Sequence, residues 1–394
     1  MRGTAVFAPV LLALLAAPGA AAAEPTVRVG VLGLMRPVRI TARPSGSCRI
    51  TPEAARAAAR TRQGVPGALV LDLDPGGVRF HAPRGTPAGP VPDVVFDPGE
   101  GAVELSLDNG FRRAFRGRVR IFPSTAGPYL QAVVERPLSA YLAGVIRAET
   151  HGAAPPDALR SLAVTAASYV RSRRSPHGPE GFDFCDATHC MYYAGEEKLP
   201  PNVREAAEFG ARFTLVPGAG ESPVFSSCCG GECLPPSWVW PEAGPGGEGK
   251  PVACPWCRGS ADFAWHAEMP FERFRKMVQA VFGVEGLAAV AVTIDASGGY
   301  RVALEGGEHK LVLPAEKFRI EIGRRFGWNL FRSSRFTVKR RGGLLRFDGR
   351  GFGHGAGLCV AGAAAMARKG YDWKAILGFY FPRSTLSGIP GAPR

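Results

Sequence analysis

In LSAYLAGVIRAETHG, residues 138–152, the carboxyl group of Glu149 falls in register with an apolar stripe. Leu138, Leu142, Val145, Ile146 and Glu149 stand at offsets 0, 4, 7, 8 and 11, one face of a helix of about 3.6 residues per turn. An acid at such a place is either a solvated helix end that happens to fall in line, or a group held in an apolar wall. In the second case its surroundings penalise the anion and raise its proton affinity, which suits general acid and base work near neutral pH.

Two further stretches gather ligating side chains. RSPHGPEGFDFCDATHCMYY brings His177, Cys185, His189 and Cys190 within 14 residues. Two imidazoles and two thiolates suit tetrahedral Zn2+, and adjacent His189 and Cys190 would both ligate only from irregular or extended backbone. A Cys185–Cys190 disulfide fits the same spacing equally well. Downstream come Cys228, Cys229 and Cys233, then Cys254-Pro-Trp-Cys257. That pattern reads as disulfides across a loop in an oxidising compartment, with a zinc-ribbon-like site as the alternative.

A third stretch, GRGFGHGAGLCVAGAAAMARKG, surrounds His354 with Gly349, Gly351, Gly353, Gly355 and Gly357. Glycines free to adopt positive φ let backbone N–H groups and one imidazole approach a ligand closely. It is not a dinucleotide-binding fingerprint, because the glycine spacing is not preceded by the strand-acid arrangement that accompanies one.

The elements that must carry these groups can be read from periodicity. TVRVGVL, PVRITA, ALVLDLD, GVRFHA and AVELSL are strand-like runs between turn residues, and make residues 24–125 a β-rich region. Helix 138–149 is followed after a short link by a second helix starting near Pro155, Pro156 and Asp157. Leu159, Leu162, Ala163, Ala166, Tyr169 and Val170 are its expected buried face, and the pair should form a helical hairpin. Residues 176–260 read as a loop-rich, Cys-rich insertion. From 261 onward helix FERFRKMVQAVFG and strands AVAVTIDAS, YRVALEG and LRFDGRG follow, then two short helices parted at Gly370 and closed by Pro382.

The chain has 394 residues, 46% of them hydrophobic, enough for a substantial core. Residues 1–23, with Arg2, an apolar run and Ala21-Ala22-Ala23, have the layout of a cleavable export signal. Pro9 and Pro18 favour cleavage over a retained anchor, and no later run is apolar enough to span a bilayer. The expected location is therefore the periplasm or cell envelope, without a stable membrane span after cleavage. Net charge is +14, or +13 after loss of Arg2. Outside the cytoplasm this favours anionic envelope polymers or headgroups, and export argues against nucleic acid.

Five motifs, in order, resemble the stage II sporulation protein D (SpoIID/LytB) family: LSAYLAGVIRAET, PPDALRSLAVTAASYVRSR, FDFCDATHCMYY, FSSCCGG with Val239-Trp240, and GFGHGAGLCVAGAAAMARKGYDWKAILGFYFP. The resemblance covers roughly residues 125–387 and implies an α+β fold, with a SpoIID-like domain at 126–387 behind the β-rich region. It further implies a lytic transglycosylase that cleaves peptidoglycan glycan strands stripped of stem peptides, with Glu149 as the acid. By the same similarity, zinc at His177, Cys185, His189 and Cys190 would be structural. Tyr169, Ser226, Ser227, Gly230, Gly231, His354 and Gly355 would line the glycan groove. A non-catalytic glycan-binding or amidase-enhancing protein, with an envelope amidase as partner, is the competing expectation. The sequence departs from the family's usual residues at Ser139-Ala140, Ala167 and Val360-Ala361.

Overall fold

The structure is a computed structural model in which residues 24–52, 54–55, 67–173, 175–241, 249–307 and 309–389 are described. The expected export signal, 1–23, lies outside them.

Alternating apolar and polar residues build two six-stranded sheets at the N-terminal end. The five expected runs become strands Thr26–Val31, Arg39–Pro44, Leu69–Asp74, Gly77–His81 and Ala102–Ser106. One sheet orders Phe184–Cys185, Thr26–Val31, Leu130–Pro137, Arg118–Pro123, Val94–Asp97 and Arg49–Thr51. The other contains the remaining four of those runs with Ala88–Val91 and Arg112–Arg116 at its edges. Inward side chains such as Val29, Ile40, Leu71, Phe80, Phe96, Val103 and Ile121 are buried in one shared core. Leu130–Pro137 pairs antiparallel with both Thr26–Val31 and Arg118–Pro123, so this sheet runs across residue 125.

Leu130–Pro137 leads straight into helix α1, Leu138–Thr150, and α2, Pro156–Ser172, follows after a short link. The expectation of a single buried face on α2 is corrected. Ser161, Val164, Thr165, Ala167 and Ser168 are buried as well, so the helix is enclosed on nearly all sides. Its hydroxyls make this tolerable by donating back to the preceding turn, Ser161 to Ala158 O at 2.9 Å, Thr165 to Ser161 O at 2.8 Å and Ser168 to Val164 O at 2.6 Å. At Ala167, fully buried in α2, a long charged side chain would have no route to solvent.

Helix α3, Pro201–Gly210, falls inside the stretch expected to be loops and packs against both α1 and α2. Pro200 and Pro201 start it, and Val203, Ala206 and Ala207 bury its inner face. Glycine inside α1 has a packing cause. A Cβ on Gly144 would collide with the Tyr193 ring.

Residues 264–350 form a second core of their own. Helices α4, Phe271–Phe282, and α5, Ala315–Phe326, enclose Phe274, Phe318, Phe331, Phe336 and Phe347 together with two three-stranded sheets. Helices α6, Val360–Arg368, and α7, Trp373–Tyr380, return to the first core, parted at Gly370 and closed before Pro382 as expected. The fold is α+β, as the sequence indicates.

Candidate active site and metal centre

Glu149 lies in the last turn of α1. That turn closes with His151 in the left-handed conformation at φ +51°, its N–H donating to Arg147 O, while Thr150 Oγ donates to Ile146 O at 2.7 Å. Leu138, Leu142, Val145 and Ile146 are buried as the stripe predicts, and Glu149 itself is half-buried at its edge. Protein packed around the carboxyl group disfavours the anion and pushes its pKa up to about 7, while a hydrogen bond with the Ser227 side chain pulls the other way. A carboxylic acid so placed is protonated in part at neutral pH and can give up and recover one proton.

Ser227 is held by two glycine-rich loops laced together. Phe225–Ser226 runs parallel to Leu358–Cys359, Cys228 and Phe352 exchange backbone hydrogen bonds at 3.2 and 2.8 Å, and Ala361 N–H donates to Ser227 O at 3.0 Å. Gly351, Gly353, Gly355 and Gly357 take φ of +86°, +96°, +74° and +70°. A Cβ on Gly351 would press on Cys228 O, and one on Gly357 on Val224 O. Gly349 departs from the expectation. It lies in strand Leu344–Arg350 opposite Trp265, whose ring fills the space of a side chain. Gly230 and Gly231 turn the other loop at φ +69° and +101°, and Arg335 ties that loop down by donating to Cys229 O at 3.3 Å and Glu232 O at 3.1 Å.

His354 stands half-buried on this surface, its ring 4.7 Å from that of Trp240. Its Nδ1 accepts the Ala356 N–H at 3.1 Å, so in the neutral ring Nε2 carries the hydrogen. Burial lowers its pKa to about 4, which keeps the ring neutral in ordinary conditions. Ser226 is buried with a hydroxyl that has no hydrogen-bond partner among the described residues. Tyr169, Trp238 and Trp240 each pack against one small apolar cluster of Val224, Leu234, Val239 and Ala356, so Tyr169 joins the His354 side of the surface. Trp238 had no signal in the sequence beyond its type, and Trp240 stood in one of the five motifs without being singled out as a site residue. A separate cleft of about 220 Å3, lined by residues such as Glu221, Pro235 and Arg383, holds none of the expected site residues.

His177, Cys185, His189 and Cys190 converge, one ligand atom from each lying within 4.8 Å of all the others. His177 Nε2 and His189 Nδ1 are 3.2 Å apart, and Cys190 Sγ lies 3.5 Å and Cys185 Sγ 3.9 Å from His189 Nδ1. Bond lengths of about 2.0 Å to nitrogen and 2.3 Å to sulfur give tetrahedral edges of about 3.3–3.8 Å, so the donor set fits Zn2+. Glu180 Oε1 lies 2.7 Å from His177 Nδ1, a carboxylate that orients the imidazole with Nε2 free for metal. Strand Phe184–Cys185 adds to the N-terminal sheet beside Thr26–Val31, and Asp183 clasps Arg28 through both carboxylate oxygens. The β-rich region thereby fixes the ligand segment. The Phe184 ring touches Tyr141, in the first turn of α1, and Tyr169, in the last turn of α2, at ring separations of 6.2 and 6.0 Å.

A family model described as SpoIID, stage II sporulation protein, matches residues 127–212. An uncharacterised protein of Brachyspira hyodysenteriae is 26% identical over 248 residues, 61% of this chain and 64% of that protein. Stage II sporulation protein D of Bacillus subtilis is 23% identical over 273 residues, 65% of this chain and 76% of that protein. The amidase enhancer of the same organism is 37% identical over 75 residues, 19% of this chain and 10% of that protein. The chain thus spans under two thirds of the Brachyspira protein and a tenth of the amidase enhancer.

Proposed function

The chain belongs, through residues 127–212, to the stage II sporulation protein D family, and from that premise we propose that it is an exported lytic transglycosylase of peptidoglycan glycan strands. The observation that carries the reading is Glu149, a half-buried acid with a pKa near 7 at the edge of an apolar helix face.

Glu149 as the neutral acid donates its proton to the glycosidic oxygen between N-acetylmuramic acid and N-acetylglucosamine. The C1–O bond breaks and the N-acetylglucosamine side leaves with a hydroxyl. The muramyl residue's own 6-hydroxyl oxygen then bonds to C1, and its proton passes to the Glu149 carboxylate. The enzyme ends as it began, the sugar carries a 1,6-anhydro ring, and no water is consumed. One carboxyl group suffices because acid and base act in sequence, unlike the paired carboxylates of ordinary glycosidases. Ser226, Ser227, His354 with Gly355, Gly230, Gly231 and Tyr169 would bind the strand. The neutral His354 ring offers hydrogen bonds and Trp240 an aromatic face, while the buried Ser226 hydroxyl would stand behind them.

His177, Cys185, His189 and Cys190 would hold Zn2+ with all four positions filled by protein, so the metal would supply rigidity. Its neighbour Tyr141 and the acid Glu149 are eight residues apart on α1, about 12 Å along the axis, so the metal would stand apart from the acid.

Likeness to an amidase enhancer over 75 residues favours a second reading, a glycan-binding partner of an envelope amidase without cleavage of its own. Digestion in water enriched in 18O tells the two from hydrolysis and from each other. The proposal predicts new ends without the heavy oxygen. Ends that carry it indicate hydrolysis, and binding without new ends indicates the amidase-partner reading.

A further inference from the structure

We propose that Cys229, Cys254, Cys257 and Cys359 form a second structural zinc site, which clamps the Ser227 loop to the start of α6. All four are buried, and their Sγ atoms lie within 4.8 Å of one another, with Cys229 and Cys257 3.5 Å apart. A zinc ion bound at about 2.3 Å by four sulfurs needs S–S edges of about 3.8 Å, which this cluster approaches without rearrangement of the chain. A purely sulfur donor set selects zinc or iron over the harder divalent cations.

The surroundings are those of thiolates. Backbone N–H groups of Cys229 and Gly362 both donate to Cys359 Sγ, each at 3.3 Å. Cys359 is also the N-cap of α6, where the helix favours negative charge. The Tyr380 hydroxyl lies 3.4 Å from Cys254 Sγ. A Cβ on Gly362 would strike that hydroxyl and come within 3.0 Å of Cys254 Sγ and 3.4 Å of Cys359 Sγ. The first turn of α6 is thus left bare where the sulfurs gather. Cys254 caps the short helical turn Pro255–Gly259 and Cys257 lies within it, a C-x2-C knuckle whose two thiols face one point. Cys228 and Cys233, also buried, stand outside the set of four.

The ligands come from three distant parts of the chain. Cys229 is two residues from Ser227, and Cys359 ends the strand that pairs with Phe225–Ser226. A metal here therefore holds the Ser227 loop against the His354 loop, as Ser227 must be held to meet Glu149. The sequence suggested a ribbon-like pair from Cys254 and Cys257, but gave no sign that Cys359 would join it.

The full chain, purified without chelator or reductant, should contain two equivalents of zinc by plasma mass spectrometry. The double variant Cys254→Ser/Cys257→Ser should lose one equivalent and keep the other, while His177→Ala/His189→Ala should lose only the other. If the cysteine variant fails to fold, the native protein substituted with Co2+ should show two distinct absorption spectra, one of them that of an all-sulfur tetrahedral site. No zinc lost on Cys254→Ser/Cys257→Ser from the folded protein, no all-sulfur spectrum with Co2+, iron in place of zinc at this site, or a mapped disulfide between any two of the four cysteines would overturn the proposal. None of these readouts depends on glycan cleavage.

Discussion

The Ser227 side chain faces the Glu149 carboxyl group and is the one group that opposes the effect of burial on this acid. Burial wins, and the carboxyl group stays near pH 7. Cleavage that starts from the protonated acid should then weaken as pH rises through about 7. Ser227→Ala removes the bond that favours the anion, so the alkaline limb of kcat/KM should move to higher pH, by about one unit for a charge-assisted hydrogen bond. An unmoved limb would mean that another group controls the proton.

Glu149→Gln should abolish cleavage and also make the protein more stable at neutral pH. The acid's pKa rises from 4.5 unfolded to about 7 folded, so its contribution is complete below pH 4.5 and lost as pH climbs through 7. The neutral amide avoids that loss. Unfolding free energies from denaturant titration should nearly coincide near pH 4.5 and differ at pH 8 by on the order of 1–3 kcal/mol in the variant's favour. Equal free energies at pH 8 would show that Glu149 pays no desolvation penalty.

His354 should be neutral with its hydrogen on Nε2 at pH 6, because Nδ1 accepts the Ala356 N–H and burial lowers the pKa to about 4. Nitrogen-15 NMR of the imidazole reports both tautomer and charge. An imidazolium at pH 6 would contradict this arrangement.

Glu180→Gln should weaken zinc at the His177 set by about 10–100-fold, since the orienting carboxylate is lost, yet leave cleavage unchanged while zinc is saturating. A competitive chelator titration measures the first, and a turnover assay with added zinc the second. A fall in turnover under saturation would place the metal in the chemistry.

Gly144→Ala should destabilise the fold by about 1–3 kcal/mol, because the added methyl group meets the Tyr193 ring inside a packed core. Thermal unfolding at fixed pH measures it, and an unchanged midpoint would mean that Tyr193 moves aside freely.

Much of this was legible in the chain because short-range patterns carried it. Alternation marked the N-terminal strands, and the 138–149 stripe marked both α1 and its odd acid. The ordered motifs pointed to the family that the comparisons also find. Helix α3 was hidden by the Pro-rich composition around it, although Pro200-Pro201 is itself a helix start. Burial of α2 on all sides was invisible because Ser161, Thr165 and Ser168 look polar until their hydroxyls bond the helix backbone. Contacts between distant segments had no local trace: Ser227 beside Glu149, Trp240 against His354, and Cys359 beside Cys229 across 130 residues.

In the proposed reaction Glu149 drives intramolecular ring closure on glycan. Denuded glycan strands incubated with the protein, then analysed by mass spectrometry, test it most directly. Fragments ending in 1,6-anhydro-N-acetylmuramic acid are expected from the native protein and none from Glu149→Gln. Anhydro ends formed equally well by the folded variant, or none formed by the native protein while it still binds the strands, would contradict it.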